Sequence, residues 1–311
     1  MEWMEPMEPV LTDSVVRTAG YIHHIKWDGI RGLTYVQNGQ VRIFNKSGRE
    51  RTGFYPEAEK IGELINVKEA VLDGELVVFD KSRPSFQSVL KRDRLNNIRN
   101  LSLFIEKYPV RYILFDMLWY NGMDIRYLPL NKRMDMLRSC FKPNEFITVT
   151  DDFTDGAKLF DLMKHENLEG IVSKSPTGFY IGGKRHNYWY KTKVQKKILA
   201  IVFGLNLKEG FPSSLILGVY HDGIAVYIGS AAIGLKNSDL RLLSTYTERL
   251  RQNNCPFVEY DISDNVIWLK PSLTCWIGFA ERTSEGLLRQ PRILGFTDLS
   301  VDEAVGDEII T

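Results

Sequence analysis

The sequence predicts an α+β protein in two parts: a domain of mixed, largely antiparallel sheets with inserted helices, then a small β-barrel. Three observations carry this reading. Three two-residue turns, Asn38-Gly39, Asn121-Gly122 and Asp222-Gly223, each separate β-rich runs, and these residue types accept the positive φ of a type I′ hairpin. Helical segments alternate with strands over the first two-thirds of the chain, but the hairpins argue against a Rossmann arrangement. A densely basic run, KTKVQKK at Lys191–Lys197, then gives way to short strands.

Taken in order, a short strand at Tyr21–Ile25 precedes the first hairpin, GLTYVQ–QVRIFN. A helix follows over Pro56–Ile65, where proline suits the first turn. Strands at Leu72–Phe79 and Tyr112–Leu118 lead to the second hairpin, ILFDMLWY–MDIRYL. Asn131 and Thr154 read as N-caps of helices ending near Cys140 and Glu166. After Lys197 come the strands ILAIVFGLNL, LILGVY, AVYIGS, VIWLK and SLTCWIGFAERT, with one helix over Ser238–Arg251. The expected domains are therefore 1–197 and 198–311.

Composition sets the outer bounds. Hydrophobic residues make up 44% and charged residues 25% of the 311, enough apolar material to exclude disorder as the main state. No apolar run approaches the roughly 18–20 residues a bilayer span needs, and the acidic, proline-broken MEWMEPMEPVL does not read as a secretory signal. Cys140, Cys255 and Cys275 form no CxxC pair, which argues against a zinc ribbon or disulfide scaffold and suits a reducing cytosol. With a net charge of +1, any nucleic-acid site must come from local basic clusters.

Five segments carry chemistry. Lys26-Trp27-Asp28-Gly29-Ile30-Arg31 places a lysine at a strand end beside glycine, which suits either a nucleophile or an ordinary surface Lys–Asp turn. Leu72-Asp73-Gly74-Glu75-Leu76 sets Glu75 among apolar neighbours, where an acid needs a partner, either a structural ion pair or a ligand. Phe115-Asp116 lies in a core-like strand, where packing alone would explain Phe115. Glu169-Gly170-Ile171-Val172-Ser173-Lys174 is the fourth. In Trp189-Tyr190-Lys191-Thr192-Lys193 the two lysines share one face of a strand, and an anion or free solvent would relieve their repulsion.

The order KxDGxR, DGE, FD, EGIVSK, KxK resembles the covalent nucleotidyltransferases: ATP-dependent DNA ligases, RNA ligases and capping enzymes. PMEPVL, SFQSVLKRDRL at Ser85–Leu95, TGFYIGGKRHNYWYKTK and WLKPSLTCWIGFAERTSEGLLRQP further resemble the ligase core of bacterial ligase D, an end-joining enzyme. The resemblance implies an ATP-grasp-like nucleotidyltransferase domain followed by an OB-fold barrel. It implies ATP with Mg²⁺ or Mn²⁺ as cofactors, nicked or broken double-stranded DNA as substrate and a lysyl-AMP intermediate. It also implies a Ku-type end-binding partner, a fused or separate repair polymerase, a monomer and a place in the bacterial cytosol. RNA ligase, capping guanylyltransferase and a silent nucleic-acid-binding module are the alternatives.

By this resemblance Lys26 is the nucleophile. Lys191, Lys193 and a bound divalent metal would lower its pKa and neutralise the charge building on the α-phosphate. Glu75 and Glu169 would ligate metal, with Glu75 also reaching the ribose, and Phe115 would stack on adenine. Arg31 would meet the ribose side, and Lys174 and Arg185 the phosphates. Lys91, Arg92 and Arg94 are candidate DNA-phosphate contacts, or else a solvated helix face.

Three departures from the family pattern stand out. His24 replaces the usual Glu that accepts from the adenine amine, while the backbone carbonyl of Ile25 remains available. Lys46 replaces the arginine of SRNG. Phe296-Thr297-Asp298-Leu299 replaces RxDK, the motif that orients pyrophosphate, with Arg289 and Arg292 as nearby substitutes.

Overall fold

The computed structural model describes residues 3–234, 237–258, 265–283 and 285–306, so Ser284 of the barrel segment quoted above lies outside it. The chain divides into two compact units, Met1–Val194 and Gln195–Thr311, a break that falls inside the basic run.

The first unit contains two sheets. Strands β1 (Glu8–Thr12), β2 (Ile22–Ile25), β10 (Gly170–Lys174) and β11 (Arg185–Lys193) form one, in the order β1-β11-β10-β2. The other runs β4-β3-β5-β7-β8, from β3 (Ile30–Gln37), β4 (Gln40–Asn45), β5 (Glu69–Asp80), β7 (Val110–Tyr120) and β8 (Met123–Asp124). Short strands β6 (Arg83–Pro84) and β9 (Ile147–Val149) pair with β5 and β7. The predicted hairpins form with both turn residues at positive φ: 50° and 80° at Asn38-Gly39, 45° and 84° at Asn121-Gly122.

Alternation along β5 and β7 sends residues to two cores. Leu72, Leu76, Val110 and Leu114 pack against helical residues such as Ala58, Ile61, Met134 and Leu137. Val71 and Leu118 join Leu33 and Tyr35 and face Met7, Tyr180 and Trp189, which belong to or border the first sheet. The candidate site lies at this second, inter-sheet layer.

The helices correct the sequence reading in detail. The helix expected over Pro56–Ile65 is interrupted at Lys60, giving α1 (Pro56–Glu59) and α2 (Ile61–Leu64); Lys60 keeps right-handed helical angles, φ −56° and ψ −13°. Helix α3 (Phe86–Asp93) is capped by Ser85, whose hydroxyl accepts from the Ser88 N–H, and α4 (Leu101–Lys107) follows. Helix α5 (Leu130–Cys140) starts after Pro129, so Asn131 lies inside the helix and is not its cap. Helix α6 (Gly156–His165) is capped by Asp155 rather than Thr154, the carboxylate being the stronger acceptor one residue later.

In the second unit the long β12 (Lys196–Lys208) pairs along one edge with β13 (Phe211–His221). Along the other edge it pairs with both β17 (Thr274–Phe279) and β16 (Val266–Leu269). Register shifts after Val202 and Asn206 bend it, and the sheet curls as an OB-type barrel. Strands β14 (Ile224–Ala232), β15 (Arg251–Gln252) and β20 (Arg292–Thr297) extend this sheet, β18 (Glu281–Arg282) and β19 (Leu288–Arg289) pair alone, and helix α7 spans Asn237–Leu250. The Asp222-Gly223 turn forms as predicted, at φ 49° and 78°.

Candidate active site

Strand register brings the motifs together. His24 lies opposite Val172, which lies opposite Lys191, so these three form a row across the first sheet. The neighbouring rows pair Lys174 with Trp189 and Gly170 with Lys193. Lys26 leaves the end of β2 with its N–H donating to the Gly170 carbonyl at 2.9 Å. Gly170 has φ +139°, and a Cβ there would stand 2.1 Å from the Thr192 oxygen, so the close pairing under Lys26 requires glycine. Gly29 acts similarly on the other sheet, since a Cβ there would meet the Leu76 carbonyl at 2.4 Å and the Glu75 side chain at 2.8 Å.

A cavity of about 360 Å³ opens between the sheets. Of the residues expected from sequence, His24, Ile25, Lys26, Arg31, Lys46, Glu75, Phe115, Lys174 and Lys191 line it. Glu169, Lys193 and Arg185 do not, but the first two join it through Lys26. The Lys26 ammonium meets one Glu169 oxygen at 2.6 Å and the Lys193 ammonium meets the other at 2.9 Å. Burial pushes the Glu169 carboxyl up, yet these two ammonium groups outweigh it and its pKa falls below the ordinary value.

Among the protein's own groups, the anions beside Lys26 outweigh the lysines expected to depress its pKa. Burial does push that ammonium down, but Glu169 and Glu75 outweigh it and the net shift is upward. Lys191 shows the opposite balance. It makes no side-chain ion pair or hydrogen bond among the described residues. Burial first, then Lys26, Lys193 and Arg185, lower its pKa. Glu75 also lacks a side-chain partner among them, and burial pushes its carboxyl up to about 8.

Arg31 is mostly committed. It grips Asp73 with two N–H groups and donates to the Met7 carbonyl and the Tyr180 hydroxyl, four hydrogen bonds in all. Its guanidinium lies 5.2 Å from the Phe115 ring centre, so it acts as a brace behind that ring and leaves one N–H for a ligand. Lys174, expected near phosphates, is instead 2% exposed. It donates to the Phe115 carbonyl at 3.1 Å and sits 4.4 and 4.1 Å from the Phe115 and Trp189 rings. Burial pushes its ammonium down to about 7. At the mouth, Glu8 pairs with both Lys46 and Arg185.

His24 is buried and neutral. Burial drives its pKa down to about 4, and its Nε2 meets Asp152 Oδ1 at 2.8 Å. Asp152 in turn accepts from Arg138. Trp189, Glu8 and Asp152 were given no role from sequence. Trp189 had a signal in its two-residue offset from Lys191, whereas Asp152 belongs to none of the motifs.

Outside the cavity, Arg92 cannot reach DNA. It is fully buried, with a two-pronged pair to Glu57 and bonds to the carbonyls of Phe54, Phe104 and Tyr108, whereas Lys91 and Arg94 are exposed. Of the substitutes for RxDK, Arg289 is tied to Glu281 while Arg292 is exposed. Phe296 packs on the barrel core, and the Thr297 and Leu299 carbonyls are held by the Thr274 hydroxyl.

No group of three or more His, Cys, Asp or Glu side chains placed to hold a metal occurs among the described residues. Two carboxylates, one of them without a partner, fit a Mg²⁺-like ion that keeps most of its oxygen ligands from phosphates and water.

Residues 9–193 match the ATP dependent DNA ligase domain, and residues 208–298 the ATP dependent DNA ligase C terminal region. The chain is 28% identical over 290 residues to the multifunctional non-homologous end joining protein LigD of Mycolicibacterium smegmatis, covering 90% of this chain and 36% of that protein. It is 27% identical over 319 residues to a DNA ligase of Pyrobaculum islandicum, covering 90% of this chain and 54% of that one. The crystal structure of the ligase domain from M. tuberculosis LigD aligns with 97% of this chain and 98% of its own, at TM-score 0.53 and 26% identity. A mycobacterial DNA ligase D complexed with ATP and MES aligns at TM-score 0.52 and 26% identity. The chain spans about a third of the length of the LigD relatives.

Proposed function

The chain belongs to the ATP-dependent DNA ligase family, and from that premise we propose that it seals DNA nicks and breaks through a lysyl-AMP on Lys26. The observation that carries this is Lys26, paired with Glu169 at the wall of a cavity that also presents a cation, Lys191, and a carboxyl, Glu75, neither with a side-chain partner among the described residues. ATP would enter with adenine against Phe115 and its phosphates toward Lys191, Lys46 and Arg185.

The amine of Lys26 attacks the α-phosphorus. A P–N bond forms and the bond to pyrophosphate breaks. Attack requires loss of the proton that Glu169 now holds on that amine, since only the free base is a nucleophile. Lys191 then stands ready for the charge that builds on the phosphoryl oxygens. AMP passes next to a 5′-phosphate, and the 3′-hydroxyl displaces it. Glu75 and Glu169 would hold a divalent cation, which when bound adds Lewis-acid stabilisation of the phosphates.

In this reading the first unit adenylates, and both its exposed Lys91 and Arg94 and the OB-type unit contact DNA backbone. The names of the LigD relatives support a role in end joining, where a Ku-type protein and a repair polymerase would be partners. Incubation with α-labelled ATP or GTP and Mn²⁺ tests the reading. A covalent AMP adduct is expected, a GMP adduct would indicate capping chemistry, and no adduct would indicate a silent binding module. Because Phe296 and Leu299 cannot grip pyrophosphate, adenylation is expected to be slower than sealing of a nick that already carries AMP. Single-turnover kinetics on both steps check this.

A further inference from the structure

A second cleft, of about 390 Å³, lies between the C-terminal end of α3 and α4 and shares no lining residue with the nucleotide cavity. One side of it is cationic. Lys91, Arg94 and Lys107 line it, no carboxylate does, and none of the three makes a side-chain ion pair or hydrogen bond among the described residues. Asp93, the acid between Lys91 and Arg94 in sequence, is spent on the Tyr55 hydroxyl and on Arg51. The other side is apolar and open. Leu103 is 65% exposed, and the half-buried rings of Phe104 and Tyr108 stand 5.9 Å apart. The ammoniums of Lys91 and Lys107 lie 5.4 and 5.6 Å from the centre of the Tyr108 ring. Arg92 fixes the cleft from beneath, since its buried guanidinium donates to the carbonyls of Phe104 and Tyr108 and ties α4 to α3.

The phosphates of a duplex need only the cations. An exposed leucine beside two aromatic rings gains nothing from a sugar–phosphate backbone, and paired bases stay inside the stack, out of reach of a surface cleft. A cationic rim around an aromatic wall instead suits a single strand, whose phosphates meet the cations while an unstacked base lies against the rings. We propose that this cleft binds an unpaired nucleotide of the DNA substrate, of the kind that a single-stranded overhang or a frayed end presents. This rests on the reading of the chain as a DNA ligase whose Lys91 and Arg94 contact DNA. It extends that surface to Lys107 and to the wall formed by Leu103, Phe104 and Tyr108. An acidic peptide would meet the same cations, but continuity with the DNA-facing side chains of α3 favours the nucleotide.

The test compares the affinity of the full chain for three fluorescent DNAs at one salt concentration: a blunt duplex, the same duplex with a short 3′ thymidine overhang, and the same duplex with an abasic overhang of equal length. The two overhangs carry equal phosphate charge, so their difference reports the base alone. The thymidine overhang should bind about 5- to 100-fold tighter than the abasic one, the worth of one stacked base. Leu103→Asp puts a carboxylate into the apolar wall at an exposed position, and a thermal melt checks that the variant is folded. It should make the two overhangs bind alike. A photoreactive thymidine analogue in the overhang should crosslink to Leu101–Tyr108 of the native protein, a readout that needs no variant. Thymidine and abasic overhangs bound alike by the native protein overturn the inference. So does a gain that folded Leu103→Asp keeps, or a crosslink elsewhere in the chain. Binding of the blunt duplex in any of these cases leaves the DNA reading standing. Displacement of DNA by polyglutamate with no difference between the overhangs also overturns the inference, and marks the cleft as a site for an acidic protein segment. No binding to any of the three DNAs overturns both readings.

Discussion

Two buried charge clusters in the first unit differ in how completely they are paired. Asp73 and Asp116 lie directly opposite each other on β5 and β7, a placement that would repel, yet each is gripped by its own arginine. Arg133 and Asp116 are both fully buried, and Arg133 spends further donors on the carbonyls of Leu128 and Gly178. Two residues beyond Asp73 on the same strand, Glu75 has no side-chain partner among the described residues, while Lys26 and Lys193 must share Glu169. The saturated cluster is scaffold, because each carboxylate in it has its own arginine. The unsaturated one is the proposed site, and its missing complements are those that a nucleotide and a metal would bring.

The comparison predicts that equivalent-looking substitutions act on different observables. Lys26→Ala should abolish the AMP adduct entirely while changing stability little, since Glu169 keeps Lys193; labelling with α-labelled ATP and a thermal melt together check this. In Asp116→Asn the buried Arg133 loses its counter-charge, and such a break costs about 3–5 kcal/mol. Urea unfolding should show it, whereas an Asp116→Asn protein as stable as the native one would break the contrast. Between the two strand lysines, Lys191→Ala should raise the KM for ATP more than Lys193→Ala, because Lys193 is already paired with Glu169 whereas Lys191 has no partner among the described residues.

The smallest expected effect is on the pH dependence of stability. Lys174 titrates near 7 when buried and near 10.5 when unfolded. Between those values the unfolded chain holds a proton that the folded one lacks, so stability should rise with pH across the window. It should be lost again as pH falls through about 7, where the buried ammonium is charged. Lys174→Met should flatten that slope in melts taken from pH 6 to 10.

These contrasts also show how far the sequence could be read. The hairpins were legible because a two-residue turn is local chemistry, and the motif set because its order along the chain survives folding. Partner choice was not. Arg92 looked like one of three surface bases until α1 supplied Glu57. The neighbours of Lys26 looked cationic until Glu169 proved nearer than Lys191 in effect. His24 depends on Asp152, 128 residues away, on a loop with no motif. Helix starts slipped by one residue because adjacent Thr154 and Asp155 are both competent caps.

The Glu8 bridge between Lys46 and Arg185 bears on the tempo of turnover. The entrance to the cavity carries its own counter-anion, so an arriving triphosphate exchanges with a tethered carboxylate as well as with dissolved salt. Capture of ATP should therefore vary less steeply with ionic strength than the number of entrance cations suggests. The same carboxylate is at hand when pyrophosphate must leave. If Lys46 and Arg185 bind the phosphates as proposed, Glu8 would reclaim them as the product departs and would act as a competitor that trades some tightness of capture for speed of release.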